Sequence, residues 1–296
     1  MGRWTIPPPK VQIGRALGDA SMALTIDSKL KLNNGVEMPM FGLGMWQIPS
    51  GGPAQRAVTH ALQAGYRLID TARMYGNEED LGLAVRASGL PRDEVFITTK
   101  LWNSDHGYEA TLKACEGSLK RLGFPSMDLY LIHWPVPGAR KDTWRAMERI
   151  VKEGKARAIG VSNYMIPHLE ELLASSNVVP AVNQVELSPF LAQRELIEFC
   201  RRHGIAVEAY SPLTKGHRLA DKRLAAVAGK YAKSVPQILI RWGLQHGIIE
   251  IPKSARAEHI RENAMVFDFE IRPEDMRGLD SMGGDLHMAW DPTNAP

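Results

Sequence analysis

Apolar positions along this chain come in short continuous runs, separated by stretches in which they recur at helical spacing. The runs cover residues 40–45, 67–70, 95–100, 128–133, 157–162, 181–185, 205–210 and 248–251. A run of four to six apolar residues bounded by turn-forming residues reads as a strand buried on both faces. Between them, helical periodicity predicts helices over 53–64, 78–87, 108–121, 142–153, 166–175 and 193–203, and one long helix over 219–245. Ahead of this series, Leu30-Lys-Leu-Asn-Asn-Gly-Val-Glu-Met38 reads as two short strands joined at Asn34-Gly35, a hairpin signal.

Strict alternation of strand and helix demands a parallel sheet with right-handed crossovers. Eight units in about 250 residues fit a closed (β/α)₈ barrel (the TIM barrel) better than an open doubly wound sheet. No Gly-x-Gly-x-x-Gly follows any strand, and no phosphate-cradling Lys-Ser/Thr loop is present, which also disfavours the open dinucleotide-binding sheet. The hairpin is expected to plug the N-terminal mouth of the barrel. Residues 1–25 carry little periodicity and are expected to form an extension, with 26–296 forming the barrel and a C-terminal tail over the active site.

Composition narrows the class. An apolar content of 44% suits a well-buried core, and a net charge of +3 is too slight to argue for nucleic acid or a membrane surface. No stretch approaches the roughly 18 apolar residues of a membrane span, and Ile6-Pro-Pro-Pro9 breaks the single candidate for a signal peptide core. Cys115 and Cys200 lie in different expected helices, with no metal-binding spacing, and read as buried thiols of a reducing compartment. The expectation is a cytoplasmic monomer that needs no metal.

Three of the apolar runs end on an ionisable residue: Asp70, Lys100 and His133, at intervals of 30 and 33 residues. In neighbouring parallel strands these side chains converge at the C-terminal end of the barrel, where such folds place ligands. Tyr75 follows Asp70 by five residues and falls in the overhanging loop. Later strands also end in polar groups, at Ser162-Asn163, Asn183-Gln184, Tyr210-Ser211 and Lys253-Ser254. Any one polar strand end means little; seven are hard to attribute to chance.

On these residues the chain resembles the aldo-keto reductase family. The blocks are Gly42-Leu-Gly-Met-Trp46, Ile69-Asp-Thr-Ala72 with Tyr75-Gly-Asn-Glu78, Thr99-Lys-Leu-Trp102, Asp128-Leu-Tyr-Leu-Ile-His-Trp-Pro135, Gly160-Val-Ser-Asn-Tyr164, Asn183-Gln-Val-Glu186 and Ile251-Pro-Lys-Ser254. They run in order over nearly the whole chain. The style is similar to short-looped microbial and protist members of the 2,5-diketogluconate reductase and prostaglandin F synthase kind.

Residue chemistry and resemblance agree on a proton-transfer site. Reducing a carbonyl needs a hydride on carbon and a proton on oxygen. Tyr75 is the candidate general acid; a phenol with a pKa near 10 needs help at neutral pH. A nearby Lys100 ammonium is expected to lower that value, Asp70 to keep Lys100 charged, and His133 to hydrogen-bond the substrate oxygen or help relay the proton. The resemblance further implies an extended nicotinamide dinucleotide across the C-terminal mouth. Ser162, Asn163 and Gln184 would take the carboxamide, Tyr210 would stack on the nicotinamide, and Ser211, Leu213 and the loop at 214–219 would follow the pyrophosphate. A polar plug of the barrel is the alternative for Asn163 and Gln184.

Lys253 and Ser254 match the family's grip on the adenosine 2′-phosphate, and Glu262 and Asn263 its adenine contacts. One position departs: His259 stands where the family usually has an arginine. A largely neutral imidazole lacks the guanidinium fork, so NADPH use with NADH tolerance is expected. Trp46, Trp102 and Trp134 would wall a pocket for small aldehydes and ketones with apolar surface, with His287 and Trp290 in the tail above it. Competing readings are an enzyme working chiefly in the alcohol-oxidising direction and a catalytically silent nucleotide-binding barrel. A metal-dependent barrel hydrolase is disfavoured, because the first strand offers Gly42-Leu-Gly44 in place of His-x-His.

Overall fold

The protein is described by a computed structural model over residues 24–293. Apart from its last two residues, the expected extension at 1–25 lies outside the described residues. The hairpin pairs β1 (Lys29–Lys31) antiparallel with β2 (Glu37–Pro39), placing Leu30 opposite Met38. The barrel strands are β3 (Gly42–Gly44), β4 (Leu68–Asp70), β5 (Phe96–Leu101), β6 (Met127–Ile132), β7 (Ala156–Ser162), β8 (Val182–Glu186), β9 (Ala206–Tyr210) and β10 (Ile249–Glu250). They lie side by side in chain order, every pair parallel. Bridges from Phe41 to Glu250 and from Gly44 to Lys253 join the first strand to the last.

Six helices follow in the crossovers: α1 (Gly52–Gln63), α2 (Glu78–Ala87), α3 (Tyr108–Leu122), α4 (Arg140–Lys152), α5 (Ile166–Ser175) and α6 (Arg194–Arg202). Then come α7 (Lys222–Tyr231), α8 (Val235–Gln245), α9 (Ala257–Ala264) and α10 (Pro273–Asp280). Helix α1 buries Ala54, Ala57, Val58, Ala61 and Leu62, the stripe that a period of 3.6 presents to one side. No described helix is long and apolar enough to cross a membrane.

Side chains alternate across each strand, and the alternation separates two cores. Leu68, Phe96, Leu129, Leu131, Val182, Ile249 and Ile251 pack inside the barrel, whereas Ile69, Ile97, Tyr130, Ile159 and Val185 pack among the helices. Leu32 and Met38 of the hairpin are buried with the inner set, as a plug requires. Burial of one such side chain stabilises by about 1.5–3 kcal/mol. Room inside the barrel is tight: a Cβ on Gly42 would fall 2.4 Å from the Leu68 side chain.

One expected element differs. The long helix over 219–245 is two helices, and residues 219–221 precede the first. Ala232 has φ 50, in the left-handed region, which ends α7. Ser234 then caps α8, with the Gln237 side chain reaching back to the Ser234 N–H at 2.9 Å and Pro236 in the first turn. Helices α9 and α10 have no counterpart among the expected elements.

Candidate active site

Asp70 and Lys100 arrive where the alternation sends them, on the inner face at the C-terminal ends of β4 and β5, with His133 just past β6. Lys100 is fully buried. Its ammonium donates to Asp70 Oδ1 at 2.6 Å, to the Thr71 carbonyl at 2.9 Å and to the Tyr75 hydroxyl at 3.5 Å. The ring of His133 stands edge-on to that of Tyr75, with centroids 5.7 Å apart.

Tyr75 is not on a strand, so its position has to be built. It closes a single helical turn, Arg73–Tyr75, that ends on Gly76 at φ 71, a backbone conformation suited to glycine. Asn77 then fastens the loop from below. Its amide donates to the carbonyls of Met45 and Ile48, both at 3.1 Å, and its oxygen accepts from Thr71 at 2.6 Å. Glu78 adds an anchor by accepting from Thr99 and from Arg121, each at 2.6 Å. The phenol's loop is therefore held by polar contacts to the loops after β3 and β4, to β5 and to α3.

Electrostatics here are governed by burial. Burial pushes the Tyr75 phenol up to about 12; Lys100 pulls it back but does not prevail. The expected net lowering by Lys100 is thus reversed: the cost of creating a phenolate in a half-buried site exceeds the attraction of one ammonium already shared with Asp70. Burial alone would lower Lys100, yet Asp70, Tyr75 and the more distant Glu208 hold it above the ordinary lysine value. Burial raises Asp70, against the pull of Lys100. Burial and the Lys100 charge drive His133 well below the usual histidine range, so its imidazole is neutral at pH 7. His133 Nδ1 is buried without a hydrogen-bond partner among the described residues.

A cleft of about 700 Å³ opens over these groups. Asp70, Tyr75 and His133 form its floor, with Trp46, Trp102 and Trp134 around them. Trp46 packs on Tyr75 with centroids 4.8 Å apart, and Trp102 on His133 at 5.2 Å. The tail completes the wall: Trp290 meets Trp134 at 5.3 Å, and the N–H groups of Met288 and Ala289 donate to the Glu186 carboxylate at 2.8 and 2.9 Å.

Ser162, Asn163, Gln184, Tyr210, Ser211, Leu213 and Lys253 line the same cleft. Their side chains are knitted together. Asn163, at φ 63, donates to the His133 carbonyl at 2.9 Å and accepts from the Tyr210 hydroxyl at 2.8 Å. Ser162 donates to the Gln184 carbonyl at 2.8 Å. Gln184 Nε2 donates to Asp70 Oδ2 at 2.8 Å and to Glu208 Oε2 at 2.7 Å. Ser254, His259, Glu262 and Asn263 lie apart from this floor, on the loop after β10 and on α9. There the Arg256 guanidinium lies against the His259 ring, with Nη2 3.1 Å from Nδ1.

Glu208 and Glu186 were not among the expected site residues. Glu208 is the one charged residue within the otherwise apolar run of β9, and that contrast is the signal that could have marked it; Glu186 closes the polar end of β8. No cluster of His, Cys, Asp or Glu suited to a metal occurs among the described residues.

The family model for the aldo/keto reductase family matches residues 40–283. Glyoxal reductase of Bacillus subtilis (strain 168) is 49% identical over 271 residues, covering 92% of this chain and 98% of that protein. This chain belongs to the aldo/keto reductase family. Another relative, 9,11-endoperoxide prostaglandin H2 reductase of Trypanosoma cruzi (strain CL Brener), is 49% identical over 266 residues, 89% of this chain and 94% of that one. Among solved structures, a single-site variant of Gox0644 in complex with NADPH superposes with a TM-score of 0.85 at 41% identity, over 91% of this chain and 99% of that one. As an aldo/keto reductase, the protein is an NAD(P)H-dependent oxidoreductase with the family's barrel.

Proposed function

We propose that the protein reduces small aldehydes and ketones to alcohols with NADPH, with Tyr75 as the general acid. The observation that carries this is the Lys100 ammonium, hydrogen-bonded to both Asp70 and the Tyr75 hydroxyl under an aromatic cleft. NADPH, when bound, supplies the hydride. Tyr75 gives its proton to the carbonyl oxygen as charge develops there. Lys100 offsets the phenolate left behind, and Asp70 keeps Lys100 charged and in place. His133, neutral and with one N–H to offer, orients the carbonyl oxygen beside the phenol.

The Tyr75 phenol is protonated at neutral pH, as a general acid for carbonyl reduction must be. An assembled acid, ammonium and imidazole argue against a silent binding barrel. The residues fit the cofactor. Gln184 keeps its carbonyl oxygen, and the second lone pair of Asn163 Oδ1 can also accept a carboxamide N–H. Tyr210, half-buried at the cleft, presents a ring for stacking. Lys253 and Ser254 would hold the 2′-phosphate, with Glu262 and Asn263 on the adenine.

Arg256 brings a guanidinium beside His259, but it also pairs with Glu258 at 3.4 Å. Its charge is shared, so NADPH is preferred while NADH is tolerated. The four tryptophans suit a compact carbonyl compound, and glyoxal is the first substrate to try, by analogy with the Bacillus relative. Cys115 and Cys200, both buried and unbridged, support a reducing, cytoplasmic setting, and the enzyme is read as a monomer. Tyr75→Phe tests the assignment. Turnover of glyoxal should fall at least about 10³-fold while NADPH still quenches tryptophan fluorescence; normal turnover would overturn it.

A further inference from the structure

Beneath the Asp70–Lys100 pair lies a second carboxyl group that the proposed reaction does not use. Glu208 points into the barrel from β9, fully buried, with apolar Ile249 beside it in register on one side and Gln184 on the other. Its Oε2 accepts from Gln184 Nε2 at 2.7 Å, and its Oε1 has no partner among the described residues. The charged and titratable groups acting on it are Asp70 from β4, Lys100 from β5, Tyr75 from the loop after β4 and Glu250 from β10. None of the Lys100 hydrogen bonds reaches Glu208.

Counting charge decides the state of this group. One buried ammonium serves three buried carboxyl groups, Asp70, Glu208 and, on the neighbouring strand, Glu250. Two carboxylates would leave an unbalanced negative charge in a medium that solvates it poorly, at much greater cost than a neutral carboxyl lacking one hydrogen bond. Asp70 holds the ammonium directly, so the proton falls to Glu208.

We propose that Glu208 is a protonated positioning residue of the reductase site: it leaves the single negative charge on Asp70 and fixes the Gln184 amide. The Asp70 carboxylate, which can only accept, turns the Gln184 NH₂ inward, and Glu208 accepts its second N–H, which leaves the side-chain oxygen for the nicotinamide carboxamide. The inference rests on the carbonyl-reductase reading for its consequence, but the protonation can be read without substrate. Burial and the Asp70 charge push Glu208 up to about 8. The unfolded chain ionises near 4.3. Native protein therefore holds a proton that unfolded protein has lost between those values, and stability drains away as pH rises through that window. Once Glu208 ionises, its charge opposes formation of a Tyr75 phenolate.

The test compares thermal unfolding and glyoxal reduction of the wild-type protein with Glu208→Gln, which is neutral at every pH, and Glu208→Met, which removes the hydrogen bond as well. The Tm of Glu208→Gln should gain on that of the wild type from pH 5 to pH 8.5, and the gap should then level off. Normalised to its own value at pH 6.5, wild-type kcat/KM should fall at least about fivefold by pH 9, and Glu208→Gln should lose that fall. Glu208→Met should raise KM for NADPH more than Glu208→Gln does. A Tm gap independent of pH would overturn the proposal, as would an alkaline fall unchanged in Glu208→Gln. If neither protein reduced any aldehyde, the reductase reading would fail, and the unfolding comparison would still decide whether Glu208 holds the proton.

Discussion

The two ends of this barrel are built from the same eight strands and have opposite chemistry. At the N-terminal end, Leu32 and Met38 of the hairpin close over Leu68, Phe96 and Leu129 in one apolar cluster. At the C-terminal end, two to four residues further along the strands, the inward positions are Asp70, Lys100, Ser162, Gln184 and Glu208. The first arrangement removes apolar surface from water and stabilises the fold. The second places charges where water cannot solvate them, and each must be answered by a partner. A parallel barrel can keep these tasks apart because every strand points the same way, so one end can change without disturbing the other.

The sharpest way to break this comparison is to change one side chain at each end. Lys100→Met should damage the protein twice. Turnover should fall at least about 10²-fold with the loss of the group that offsets the phenolate. Chemical denaturation should also show a loss of about 3–5 kcal/mol, since Asp70 is left buried without its counter-ion. Met38→Ala should cost about 2–5 kcal/mol by the same measurement. Its kcat/KM should stay within about twofold of the wild type, because Met38 lies in the hairpin and does not line the cleft. A large loss of turnover in Met38→Ala would show that the two ends are coupled. A smaller effect probes the rim. His259→Arg should raise the ratio of kcat/KM for NADPH over NADH by about tenfold, roughly the gain from one bidentate phosphate contact.

Much of this arrangement could be read from the residues. Asp70 and Lys100 end apolar runs and His133 follows one, so strand direction alone brought them together. Tyr75 was different: its spacing from Asp70 put it in the overhanging loop, but its place over Lys100 depends on Asn77, Gly76 and Glu78 folding the loop back, and the family-like block gave it the role of acid. The break at Ala232 was hidden by helical periodicity on both sides of it, although Ser234 and Pro236 are a start signal for a second helix. Arg272-Pro273-Glu274-Asp275 is a similar signal for α10, with proline in the first turn and acidic residues at the positive end of the helix dipole. Glu208 escaped because its role depends on Gln184 and Asp70, which meet it only when the barrel closes. The direction of the Tyr75 shift was equally invisible: an ammonium nearby argues for lowering, and only the degree of burial reverses it.

The central claim is that the buried Asp70–Lys100 pair is present for proton transfer and not for stability. The measurement is denaturant unfolding and glyoxal turnover of Asp70→Asn/Lys100→Met beside Lys100→Met alone. Removing both charges should restore most of the stability lost in the single variant, since no unpaired charge remains, while turnover stays at least about 10²-fold below the wild type. A double variant that is less stable than Lys100→Met, or that turns over glyoxal at the wild-type rate, would contradict the account.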